Sequence, residues 1–62
     1  MNFENVDLKG MGAAVEQIEQ LTYKLKELGA GIPAVEKNSR IILSVVNILK
    51  LGISDPADLI NQ

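Results

Sequence analysis

The sequence predicts an all-α fold: an antiparallel helical hairpin followed by a short C-terminal helix, with two copies pairing into a four-helix bundle. Three observations carry this expectation. Apolar residues recur at steps of three and four between Leu8 and Leu28, the spacing that lines one face of a 3.6-residue helix. The link Gly29-Ala30-Gly31-Ile32-Pro33 then breaks the pattern, and a link so short favours antiparallel neighbours. The segment beyond it is apolar around more of its circumference than a single neighbouring helix can cover.

Helix 1 is expected over about residues 8–28. Asn5 or Asp7 can cap it, because a short side-chain oxygen accepts from the orphan N–H groups of a first turn. Gly10 and Gly12 weaken that turn, and a start only at about Gly12 is the alternative. Val15, Ile18, Leu21, Leu25 and Leu28 make the apolar stripe, with Leu8 and Met11 extending it backwards. Glu16, Gln17, Glu19, Gln20, Lys24 and Glu27 fill the wet side, acids before bases, in the order that suits the helix dipole. Gly29 stands where a left-handed cap is wanted, and Pro33 suits a first helical position.

Helix 2 is expected over about residues 33–51, closed by Gly52. A later start with Ser39 as N-cap is the alternative. Glu36, Lys37, Arg40, Ser44, Asn47 and Lys50 form a narrow polar stripe, and Glu36 with Arg40 has the favourable i, i+4 order. Val35, Ile41 to Leu43, Val45, Val46, Ile48, Leu49 and Leu51 supply the wide apolar arc. Many of them are β-branched, which suits a strand, but the length and the 3–4 polar spacing favour helix. Ser54-Asp55-Pro56 reads as the start of a short third helix over about residues 55–61, with Leu59 and Ile60 on its apolar side. The whole, residues 1–62, makes a single small helical domain.

Size explains why a partner is expected. At 62 residues a folded monomer hides only about 60% of the surface its unfolded chain exposes. Small scaffolds usually add a disulfide, a metal or an oligomer contact. There is no cysteine and no histidine, so a disulfide is excluded and zinc lacks its preferred ligands. Association is the remaining route. Leu8, Met11, Val15, Ile18, Thr22 and Leu25 have the heptad-like spacing that suits shallow-angle bundle packing.

The chemistry-bearing residues point away from catalysis. The commonest general base and the best thiol nucleophile are missing. The hydroxyls of Thr22, Tyr23, Ser39, Ser44 and Ser54 lie in no nucleophile motif, and Lys9-Gly10-Met11-Gly12 lacks the length and the Lys-Ser/Thr of a phosphate loop. Asp55 and Asp58 are caps, far short of a calcium loop. No enzyme activity, cofactor or metal is therefore expected. A net charge of −2 argues against nucleic acid, although Lys37, Arg40 and Lys50 keep a small DNA-binding transcriptional regulator as the alternative function. The run Ile41 to Ile53 is too short to span a bilayer, and a surface-lying helix would want a more basic polar face and interfacial Trp. The N-terminal residues lack the basic region and apolar core of a secretory signal, so a soluble, cytoplasmic protein is expected.

The function expected is a non-enzymatic protein–protein interaction module, a small regulator, adaptor or subunit. It would act as a homodimer or by binding another helical protein. Ile42, Val45, Val46 and Leu49 are the expected interface core, with Leu59 and Ile60 at its edge. A small apolar ligand within the bundle is compatible with the same residues. Two further features bear on packing. Gly10 and Ala14, four apart, allow close helix approach, and Asn38 is the better placed of Asn38 and Asn47 to fix the register of a bundle.

Overall fold

A computed structural model describes residues 6–60, with side chains described through Ile53. The chain is all-helical: α1 spans Leu8–Leu28 and α2 spans Pro33–Ile60, packed together as a hairpin. Asp7 caps α1, its Oδ1 accepting from the Gly10 N–H at 2.8 Å while its carbonyl accepts from Met11 at 2.9 Å. The side chain satisfies one orphan N–H of the first turn and the carbonyl accepts the first intrahelical bond, which is why the helix starts before Gly10 and Gly12 rather than after them.

The turn assigns its glycines differently from the sequence expectation. Gly29 closes α1 with φ −98°, an ordinary backbone value, and the left-handed residue is Gly31 at φ 95°. Gly29 is needed for room. A Cβ there would sit 2.9 Å from Val35 Cβ and 3.2 Å from the Leu25 carbonyl oxygen. The Glu36 carboxylate does not reach for Arg40. It turns back to accept from the Gly31 N–H at 2.9 Å, tying the left-handed residue to the first turn of α2. Ile32 supplies the carbonyl that receives Val35 and Glu36, so α2 begins at Pro33 and not at Ser39.

A separate third helix is not found. α2 continues as one helix past Gly52 and Pro56 to Ile60. Proline inside a helix removes the hydrogen bond to the carbonyl four residues back and crowds that carbonyl with its ring. Here that carbonyl belongs to Gly52, so the missing bond and the glycine fall on one turn, and the capping signals at Ser54-Asp55-Pro56 are overridden by the helix that precedes them. The Leu59 and Ile60 side chains lie outside the described residues.

The larger surprise is which sides of the helices meet. On α1 the positions withdrawn from water are Leu8, Gly12, Val15, Glu19, Thr22, Lys26 and Gly29; on α2 they are Val35, Glu36, Ser39, Leu43, Val46, Lys50 and Ile53. From Glu36 onward, as along α1, the steps alternate three and four, so the seam itself is regular. Leu8, Leu43 and Ile53 lie half-buried in it, but its centre is built of smaller side chains. Val15, Thr22, Ser39 and Val46 are its most buried side chains. At 100° per residue, the stripe Val15, Ile18, Leu21, Leu25 and Leu28 points about a quarter turn away from this seam.

Candidate functional site

The displaced stripe defines the candidate site. Val15 and Thr22 turn into the seam, while Met11, Ile18 and Leu25, at the alternate steps of the same repeat, stay open. α2 repeats the arrangement: Ser39 and Val46 are buried, and Ile42 and Leu49 stay open. In an antiparallel pair with this register, the open positions of both helices fall on the same side of the hairpin. Leu21 and Leu28 widen the surface on α1, and Val45 widens it on α2. The outcome is one apolar face spread across two helices. Leu21 and Leu28 are 66% and 76% exposed, against 6% for Val15 and 1% for Val46.

The opposite side is wet and carries mixed charge. Lys50 Nζ donates to Glu19 Oε2 at 2.7 Å, the two side chains lying half-buried just below the seam. The hydrogen bond to Glu19 holds the Lys50 ammonium above its ordinary value of 10.5, and the charges of Glu19 and Glu16 add to it. Lys26, Ala30, Glu36 and Arg40 surround a shallow, open concavity near the turn. Another shallow concavity, among Gln17, Gln20, Leu21 and Lys24, edges the apolar face. Neither is an enclosed pocket. Among the described residues no three His, Cys, Asp or Glu side chains gather as a metal site, and no helix is long and apolar enough to cross a membrane.

The residues singled out from sequence therefore separate. Ile42, Val45 and Leu49 lie on the open face at 37%, 49% and 42% exposure. Val46 does not join them; it is packed against α1 in the seam. Sequence reasoning placed Leu21, Leu25 and Leu28 in the apolar stripe of helix 1 but did not single them out as part of a site. A signal was present. Thr22, Gly29 and Ser39, all buried in the seam, are small residues, and small residues are what let two helices approach closely. Asn38 interrupts the face, standing exposed beside Val35 and Ile42 and one heptad before Val45. Ile41 and Ile48 stand exposed on the outer flank of α2, whereas Tyr23 and Leu51 are apolar residues scattered on the wet side. Comparison with protein-family models, with curated proteins and with solved structures finds no match for this chain.

Proposed function

We propose that this chain is a non-enzymatic association module, a small regulator, adaptor or subunit acting in the cytoplasm. It works by docking its apolar face on another helical surface. The observation that supports this is the inversion between seam and face. The hairpin closes over Gly12, Thr22, Gly29 and Ser39 and leaves Leu21, Leu25, Leu28 and Leu49 outside. An exposed contiguous apolar patch of this kind marks an interaction surface. The alternative, a DNA-binding regulator, needs a basic surface. Glu16 and Glu19 beside Lys50 leave the wet side mixed.

The test asks whether the face is ever left bare. An apolar fluorescent dye and the solution mass are measured on the purified chain over a concentration series. An associated mass, or a monomer that binds dye through Ile42 and Leu49, supports the reading. A folded monomer that excludes the dye at every concentration overturns it, because the chain would then be covering the face with its own residues.

A further inference from the structure

We propose that the occupant of the face is a second copy of this chain, docked face to face so that the two hairpins complete a four-helix core around Ile18, Leu25, Ile42 and Leu49. This rests on the association reading above and names its partner. Three observations favour a copy over a different protein. The first is area. The face carries five large apolar side chains on α1 and three on α2, each between 37% and 76% exposed. Together they leave an apolar area on the order of the ~800 Å² that each partner contributes to a standard interface.

The second observation is charge. No ionised side chain stands among the residues that form the face, so it presents nothing for a charged partner to pair with. Its best complement is another uncharged apolar surface, and its own copy is one. The third is period. Met11, Val15, Ile18, Thr22 and Leu25 on α1 repeat at 4-3-4-3, and Ser39, Ile42, Val46 and Leu49 on α2 at 3-4-3. In each repeat one position is already covered by the other helix and the next is open. A four-helix bundle covers both positions on every helix. Two such hairpins related by a two-fold axis supply four helices of one repeat, a match that a different partner would have to reproduce. Asn38, the amide within the face, then sets the register in which the copies meet.

The chain has no cysteine, so one introduced thiol reports self-contact alone. Ile18→Cys places it on the face and Glu16→Cys on the opposite side, each treated with a short bismaleimide. The solution mass of the unmodified chain and of Leu49→Glu is measured beside them, with helix content from circular dichroism. The expected result has four parts. The unmodified chain has twice the 6.7 kDa mass. Ile18→Cys gives a covalent dimer, and Glu16→Cys gives none. Leu49→Glu weakens the pairing by roughly a hundredfold or more, since it buries an unpartnered carboxylate.

Should Leu49→Glu lose its helix, the two cysteine variants decide alone. Single-chain mass at every concentration, with dye bound, overturns the second copy and leaves association with a different partner standing. A dimer that cross-links through Glu16→Cys and not through Ile18→Cys overturns the choice of face.

Discussion

In the seam between α1 and α2, glycine, serine and threonine occupy the places where a bundle core usually carries leucine. On the face beside it, Leu21, Leu25, Leu28 and Leu49 stand in water. The two regions use different physics. The seam is short-range: Gly29 admits Val35 at a distance that a methyl group would forbid, and Ser39 and Val46 are each 1% exposed. The face is long-range in the sense that its apolar area gains nothing until something covers it. A hairpin built this way settles which helix sides lie together, and leaves the larger apolar side chains exposed beside the seam.

The sharpest way to break that contrast is to place the same charge on each region. Val46→Glu buries a carboxylate against α1 with nothing to pair it, a change of about 4 kcal/mol or more and enough to unfold so small a chain. Leu49→Glu, three residues on, leaves the hairpin seam untouched. Circular dichroism of the two variants at low concentration should show helix lost in the first and kept in the second. Equal loss in both would mean that seam and face fold as one unit and the distinction has no energetic content.

The second prediction sets two glycines of α1 against each other. Gly29→Ala forces its methyl into Val35, whose branched side chain has little freedom to move, and should cost about 2 kcal/mol. For a chain this short that lowers the melting temperature by roughly 10 °C. Gly12→Ala meets nothing within 4 Å and should gain about 0.5–1 kcal/mol from helix propensity. Opposite signs in a thermal melt are the expected outcome. Stabilisation by Gly29→Ala would show that the turn relaxes away from Val35.

How far these features were legible follows from what a pattern encodes. The step of three and four says that residues share a side, and so the two helices, their antiparallel order and the limits Leu8, Leu28 and Pro33 could be read directly. It does not say what that side meets. The residues of the stripe Val15 to Leu28 share a side of α1, yet only Val15 turns into the hairpin seam. The choice of seam depends on how closely two backbones can approach at Gly29 and Ser39, a property of two segments together that neither segment states alone. The turn failed for the same reason: Gly29 is required by Val35, six residues away, and not by its own φ. Beyond Gly52 the local start signals were sound in isolation, but a helix already running imposes its geometry on the next turn.

Ser39 offers a smaller test inside the seam. Its Oγ is buried without a hydrogen-bond partner, whereas Ser44 Oγ donates to the Arg40 carbonyl at 3.0 Å and Thr22 Oγ1 to the Ile18 carbonyl at 2.6 Å. A buried hydroxyl that makes no bond is a net loss, so Ser39→Ala should stabilise by about 1 kcal/mol, with helix propensity adding in the same direction. Denaturant midpoints of the two proteins measure it. A destabilised Ser39→Ala would mean that the hydroxyl finds a partner in solution.

The smallest effect belongs to the Glu19–Lys50 ion pair at the seam. Lys50 is held above 10.5 by its hydrogen bond to Glu19. A base whose folded-state value is raised contributes stability that is fully present below its unfolded value and is lost as pH rises through the folded one. Thermal stability should therefore be insensitive to this pair from neutral pH up to about 10, and should decline above 10.5 as the ammonium deprotonates. Lys50→Met keeps the aliphatic stem against α1 and removes the charge, so its stability starts lower and falls less steeply over the same range. Added salt should shrink that difference at neutral pH, because both partners are partly wet. If the two proteins lose stability in parallel above pH 10.5, the pair does nothing for the seam, and small-residue packing alone holds α1 against α2.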